Sequence, residues 1–378
     1  GYNYQHVEMN GAFSQALFTG KLKIEDPNID FDFDGTINLT DSVPVYDFKA
    51  DLRRLDLAAL NLVKKDWVLS GKVQKLKLVA KNFNNLSGYV MLRDFRLIQD
   101  KQYVHRIDSL TFAAFNRPGG DRHFVLLSDI ADGKLEGQFE LNSIASNLQR
   151  LFYKHYPELV QQIVGAPAPV DTAFTDNYKF NLVVKNTRGL TRLFTPQLDT
   201  IRNLSMRIAV NAGAGLTELR LVAPAFRYNG LNTRDLDFSW RSLKEQAGYN
   251  LSVPSAMLAN GQKLANLSLS GKVNGNQISF ALISADTQSI VQRINLSGVV
   301  STADSLWQIH FNASDITLFN DQWYMDEDNY LRFSGSYFDA RNFDLMNGTK
   351  RIVIDSFNRG RGVMVSLANF DLNFFQRF

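Results

Sequence analysis

The tripeptide Leu-Ser-Gly recurs in segments that alternate apolar and polar residues, and it constrains the fold more than any other feature. In residues 267–284 the alternation runs up to a turn at 274–276 and resumes after it. Alternation on both sides of a Gly-centred turn is the strongest short-range signal for a β-hairpin. Glycine inside a strand marks a bulge, a bend or a close backbone approach. Copies of the tripeptide begin at Leu69, Leu86, Leu269 and Leu296, with a variant at Phe333.

The rest of the chain repeats this pattern, with short polar turns such as Tyr228-Asn229-Gly230 and Asn347-Gly348. Consecutive strands joined by short turns predict an antiparallel meander, so the expected fold class is mainly β. Irregular spacing of the strands argues against a propeller. The apolar face of so long a sheet must be covered in a sandwich, a barrel or an open trough, and alternation alone does not choose among these.

One segment, 143–165, has the helical period instead, because its apolar residues recur at spacings of three and four. Pro157 lacks an amide hydrogen, so it should divide the segment into two short helices and open the second. The Ala-Pro-Ala-Pro sequence at 166–169 predicts a stiff linker. We therefore expect a first β segment at 1–142, a helical insertion with linker at 143–169, and a second, continuous β segment at 170–378.

Composition excludes several classes of protein. Lys and Arg number 41 against 38 Asp and Glu, and no basic run with interleaved aromatic residues occurs, so we expect no nucleic-acid partner. The absence of cysteine excludes disulfides and thiol chemistry. No apolar run approaches the ~18 residues of a membrane-spanning helix. Because the chain begins with Gly1 rather than methionine, we expect a piece of a longer protein.

Residues 30–41 are the only candidate metal motif. Asp30, Asp32 and Asp34 stand at positions one, three and five of a sequence close to the calcium loop of an EF-hand. Phe31 and Phe33 alternate with these acids as in a strand, so we interpret the segment as a strand with an acidic outer face and keep calcium as an alternative. The five histidines are scattered, and no catalytic motif is present, so we expect no enzyme, no catalytic residues and no cofactor.

Five segments carry a family resemblance: FDGTINL at 33–39, YDFKADLRRLDLAALNL at 46–62, NLSGYV at 85–90, LEGQF at 135–139 and YPEL at 156–159. Together they resemble the TamB proteins of Bacteroidota, in the AsmA-like superfamily of bridge-like envelope proteins. The resemblance implies a protein anchored in the inner membrane that crosses the periplasm. It also implies a sheet curled into an open, taco-like groove that carries phospholipid toward the outer membrane. This chain would be a soluble internal segment, without the anchor and the C-terminal domain.

An acyl chain can replace protein as the burial partner of a sheet face, at roughly 0.8 kcal/mol per buried methylene. Apolar residues of the alternating strands are therefore candidate groove liners, although each is also compatible with an ordinary core position. The candidates are Leu69, Val73, Val90, Leu92, Leu135, Phe139, Leu182, Leu236, Phe238, Leu267, Leu269, Phe280, Leu282, Leu296 and Phe311.

Two other functions remain open at this point. An older interpretation of the family is a translocation and assembly module, in which a partner barrel protein of the Omp85 type helps to assemble outer-membrane proteins. In that case the chain is a scaffold that binds clients by strand addition at an open edge. The other is a β-sandwich surface protein with two packed sheets. The helical segment either plugs one end of the groove or simply packs on the sheet.

Overall fold

The computed structural model describes residues 2–167, 175–187, 190–193, 195, 197–199, 201–286, 291–303, 306–318, 320–335, 337–357 and 362–370. Strands make up 68% of the chain and helices 7%, and 25 strands form an antiparallel sheet that is not closed. The predicted mainly β meander, an open sheet with a short helical segment, is therefore confirmed. The chain groups into two compact units, Gly1–Ile144 with Thr175–Ala209 and Ala145–Phe174 with Val210–Phe378.

The first unit contains ten strands and most of an eleventh. From β1 to β9 each strand pairs with the next one along the chain, and β10 pairs with β9. Short 3-10 turns lie at Phe83–Asn85 and Leu190–Leu193. The strands are β1 (Val7–Ser14), β2 (Leu17–Asp26), β3 (Ile29–Asn38), β4 (Val45–Asp56), β5 (Trp67–Val79), β6 (Ser87–Gln99), β7 (Tyr103–Asn116), β8 (Arg122–Ser128), β9 (Ala131–Gln138), β10 (Asn177–Asn186) and β11 (Arg202–Asn211).

The second unit contains a meander of its own, in which each strand from β12 to β18 pairs with the next, and β17 also pairs with β19. Beyond this fork the strands are short. They are β12 (Leu216–Tyr228), β13 (Leu231–Leu243), β14 (Gln246–Met257), β15 (Lys263–Asn274), β16 (Gln277–Ala285), β17 (Val291–Ala303), β18 (Leu306–Phe311), β19 (Ser314–Leu318), β20 (Asp321–Met325), β21 (Tyr330–Ser334), β22 (Tyr337–Arg341), β23 (Phe343–Asn347), β24 (Lys350–Phe357) and β25 (Gly362–Ala368).

The two helices are α1 (Ile144–His155) and α2 (Pro157–Val164). Tyr156 separates them and Pro157 is the first residue of α2, so the predicted break at this proline is confirmed. Proline is tolerated there because the first amide of a helix has no partner within the helix. Both helices are grouped with the second unit from Ala145 onward. The boundaries predicted after residues 142 and 169 stay a prediction, and much of the predicted linker lies outside the described residues.

Candidate functional site

One face of the first unit carries a continuous row of apolar side chains. Residues directly opposite each other in antiparallel strands project from the same face of the sheet. The pairing of β1 to β7 aligns one apolar residue from each strand in this way, including the predicted liners Val73 and Leu92. We call this set the first apolar row: Met9, Leu22, Phe33, Ala50, Val73, Leu92 and Leu110.

The other predicted liners of the first unit lie on the same face. Val90 and Leu182 belong to a parallel row made of Phe48, Leu76, Val90, Phe112, Leu126, Gly133 and Leu182. Leu135 is paired with Phe124 and Phe180, and Leu69 with Leu55 and Leu97. Phe139 follows β9, and its ring centroid lies 5.7 Å from that of Phe124.

Register shifts keep this face apolar where simple alternation would break it. Irregularities occur between Leu52 and Leu55 on β4 and between Val73 and Lys75 on β5. A bulge inserts an extra residue, so side chains three positions apart fall on one face. Val73 and Leu76 are related in this way, since both pair with apolar residues of β6. The alternating pattern of the sequence therefore underestimates how continuous the face is.

The opposite face of the first unit is charged. Arg53 on β4 donates hydrogen bonds to Asp30 and Asp32 of β3, and its hydrogen bond lowers the pKa of the Asp32 carboxyl. The predicted strand at 30–34 is thus confirmed, and its acids face basic partners on neighbouring strands. Among the described residues, no group of three or more His, Asp or Glu is placed to hold a metal ion. Further pairs between neighbouring strands include Lys21 with Asp34, Lys72 with Asp51 and Lys75 with Asp47.

The second unit repeats the arrangement. Its first row, which we call the leucine row, crosses β12 to β17 as Leu221, Phe238, Leu251, Leu269, Leu282 and Leu296. A neighbouring row crosses β12 to β18 as Leu219, Trp240, Tyr249, Gly271, Phe280, Gly298 and Phe311. Leu236 precedes Phe238 by two residues, and Leu267 precedes Leu269 by two. All eight predicted liners of this unit therefore share one face.

These side chains are only partly covered. Of the fifteen predicted liners, Phe139 alone is fully buried, at 5% exposure, and the other fourteen are half-buried. Two sheets packed face to face would interdigitate these side chains into a closed core. Half-burial on an open sheet instead leaves apolar area available to another molecule.

A concavity of about 840 Å³ lies against the first unit. It is lined by three consecutive residues from each of β1 to β5, and the middle residue of every triplet belongs to the first apolar row. Sequence reasoning missed most of these middle residues. The alternation of Ile29, Phe31 and Phe33 is apparent in the sequence. The position of the small Ala50 opposite Phe33 is not, because it depends on the pairing of β3 with β4.

The helices cover one end of the apolar face of the second unit. Tyr156, Leu159 and Val160 pack against Ala247 and Val273 in one buried cluster. Around it lie the partly buried Phe152, Tyr153, Trp240, Tyr249, Ile278 and Trp307. The helical period predicted the apolar stripe, but only the structure shows which strands it contacts.

Comparisons with known proteins give no match. No family model, no curated protein and no solved structure matches it. Within the described part of the chain, neither helix has the length and hydropathy needed to cross a bilayer. The assignment of a function therefore rests on the geometry of the two apolar faces.

One polar side chain interrupts the face of the first unit. His105 on β7 pairs with Leu97, is 6% exposed, and has no hydrogen-bond partner for either ring nitrogen among the described residues. Burial lowers the pKa of its imidazole below the usual value. A buried polar group without a partner costs on the order of 1–3 kcal/mol.

We expect His105→Leu to stabilise the first unit by about 1 kcal/mol at neutral pH, because leucine needs no partner. Below the ordinary histidine pKa the unfolded wild-type chain takes up a proton that the folded form resists, so wild-type stability falls as pH falls. The variant should lose this part of the pH dependence, measured by urea unfolding between pH 7 and pH 5. His310→Leu is the contrasting variant for stability. It removes a ring nitrogen, Nδ1, that lies 2.7 Å from the Asn329 carbonyl oxygen, so leucine there is not expected to stabilise the protein. If the free energy of unfolding had the same pH dependence in wild type and in His105→Leu, a lowered pKa for the buried His105 would be contradicted.

Proposed function

We propose that the apolar faces of the two units hold the acyl chains of phospholipid, and that the chain is the periplasmic segment of a TamB-like bridge between inner and outer membranes. The observation that supports this is the run of half-buried apolar rows from strand to strand. Membrane lipids are the abundant partner with a long, flexible and wholly apolar part. The charged outer face suits an aqueous compartment.

The physical chemistry is compatible with transport as well as binding. Burial of an acyl chain contributes about 0.8 kcal/mol per methylene, and this contribution does not depend on direction. An acyl chain can therefore move from one row to the next while it keeps most of its favourable contacts. In this proposal the sheet supplies a continuous surface and no chemical step, so no catalytic residue is required.

The test compares two adjacent residues that face opposite sides of β16. Leu282 lies in the leucine row, whereas Ile283 pairs with Ser268 and Asn295 on the other face and is 49% exposed. We expect Leu282→Glu to reduce copurifying phospholipid several-fold, because a carboxylate on the apolar face disfavours a bound acyl chain. Ile283→Glu should retain the wild-type amount. Lipid is measured by mass spectrometry after purification without detergent.

A second pair extends the comparison to the first unit. Leu126 belongs to the row of Val90, and Leu127 is 52% exposed on the opposite face. Leu126→Glu and Leu127→Glu are therefore the same substitution on opposite sides of β8. Circular dichroism verifies that each variant is folded. Absence of phospholipid from the wild-type protein, or equal loss in both members of each folded pair, would refute the proposal.

A second candidate function has one specific observation in its favour. All eight residues of β1 are exposed, and β1 pairs with β2 along only one of its edges in the described structure. An open edge can accept a further strand from a client, as in strand addition. Proline at alternate β1 residues whose amides point away from β2 would then abolish client binding and leave bound phospholipid unchanged.

A further inference from the structure

The helices and the sheet of the second unit enclose a separate apolar cleft of about 530 Å³. This volume lies within the usual range for a small-molecule site. One wall is the apolar stripe of α1 and α2, and the other is the end of the sheet face. Its principal lining residues are Leu148, Phe152, Val160, Ile163, Trp240 and Ile278.

The chemistry of the wall selects the ligand. Gln149 is the only amide or charged side chain in the lining, and its nitrogen donates to the Gly165 carbonyl oxygen at 3.1 Å. The indole nitrogen of Trp240 donates to Thr217 Oγ1 at 3.0 Å. An extended peptide in the cleft would leave its backbone groups without partners, which is costly in an apolar site. An alkyl chain has no polar group to satisfy.

The rim of the cleft is also apolar. Ile163 and Val164, in the last turn of α2, are 65% and 64% exposed although they line the cleft. Large apolar side chains exposed beside an apolar cavity are a sign of a binding surface. An alkyl chain that entered between Ile163 and Val164 would cover both side chains.

The cleft is held in shape before any ligand arrives. Glu158 in the first turn of α2 accepts a hydrogen bond from Asn276 Nδ2 at 2.6 Å and a longer one from Thr302 Oγ1 at 3.5 Å. Tyr156 and Leu159 are buried against the sheet, at 3% and 5% exposure. A preformed site loses less conformational entropy on binding.

We propose that this cleft binds one acyl chain, which enters past Ile163 and Val164, and that it holds a lipid in place at this end of the apolar face. The proposal deepens the proposed function, on which it rests for the assignment of the chain to a phospholipid. The leucine row provides the surface for movement, and the cleft provides a defined stopping place.

The experiment uses two photoactivatable probes, a palmitic acid with a diazirine at its methyl end and a diacyl phospholipid with the same tail. After irradiation, adducts are mapped by peptide mass spectrometry. In the wild-type protein we expect labelling by both probes to concentrate in residues 145–164 and around Trp240. Labelling there by the fatty acid alone would keep the cleft as an alkyl site but overturn its assignment to a phospholipid chain.

Matched variants separate the cleft from the open face. Ile163→Glu should reduce cleft adducts at least about tenfold, because a charge at the rim disfavours an entering alkyl chain. Ile283→Glu is the same substitution on the opposite, solvent-exposed side of β16 and should label like wild type. Leu148→Trp provides a second test if Ile163→Glu loosens α2. Its larger side chain fills the cleft, so it should also reduce cleft adducts.

The two proposals fail in distinguishable ways. Leu282→Glu should reduce copurifying phospholipid several-fold but keep fatty-acid adducts in the cleft. Adducts spread evenly along the strands of the wild-type protein, with none concentrated in 145–164, would overturn the cleft proposal while phospholipid still copurifies. Cleft adducts without any copurifying phospholipid would overturn the proposed transport function and leave an alkyl-binding cleft.

Discussion

Replacement of Trp323 by alanine is expected to destabilise the second unit by about 3–5 kcal/mol. Trp323 lies on β20 opposite Ile316, is 0% exposed, and its ring stacks on Phe370 with 5.5 Å between centroids. Truncation removes its buried area and leaves a cavity that the short strands around it can fill only in part. Urea unfolding followed by circular dichroism measures the free energy of unfolding.

Tyr324→Ala is the matched control for this prediction. Tyr324 is the next residue on β20, projects from the opposite face and is 52% exposed. Its truncation should change the free energy of unfolding by about 0.5 kcal/mol or less. If the two variants were equally stable, β20 would not be anchored by Trp323, and the core beyond the fork at β17 would need another explanation.

Gly271→Ala is expected to destabilise the second unit by about 2–3 kcal/mol, although it adds one methyl group. A β-carbon at residue 271 would lie 1.8 Å from the Ser279 carbonyl oxygen and 2.6 Å from the Tyr249 hydroxyl. That hydroxyl crosses β15 to donate to the same carbonyl oxygen, at 3.0 Å. The methyl group must therefore displace the Tyr249 ring and part the backbones of β15 and β16.

Gly248→Ala provides the comparison for Gly271→Ala. A β-carbon at residue 248 would meet only the Gly271 carbonyl oxygen, at 3.9 Å. Alanine there should be neutral or stabilising by about 0.4–1 kcal/mol, because it restricts the unfolded chain without a clash. Thermal unfolding of both variants checks the difference. A wild-type midpoint for Gly271→Ala would show that the close approach of β15 and β16 relaxes freely.

The Leu-Ser-Gly tripeptides predicted much of the fold because their alternation is a local property. The hairpin of residues 267–284 pairs Val273 with Ile278 around the expected turn. The glycines also meet the expectation of close backbone approach: a β-carbon at Gly88 or Gly298 would lie 1.9 Å or 2.1 Å from a carbonyl oxygen of a neighbouring strand. In the copies at Leu69, Leu269 and Leu296 both residues lie within one strand, so the leucine and the glycine share a face because they are two residues apart.

Other features depend on contacts that no local pattern contains. The bulges on β4 and β5 change the side of every following residue, and alternation does not reveal where they occur. The second pairing of β17, to β19, joins strands separated by β18. The stripe of α1 and α2 was visible in the helical period of 143–165. Its contacts with Val273 and Ile278, more than a hundred residues away, are set by packing alone.

The pairing order also determines how this chain can acquire its structure. From β2 to β9 each strand pairs with the one just before it, across short connections. Such contacts keep the contact order low, so each pairing closes only a short loop. A chain emerging from its N-terminus can add every new strand to the edge left by the previous one. Folding can therefore keep pace with synthesis, and each temporary open edge is covered by the next segment of the same chain.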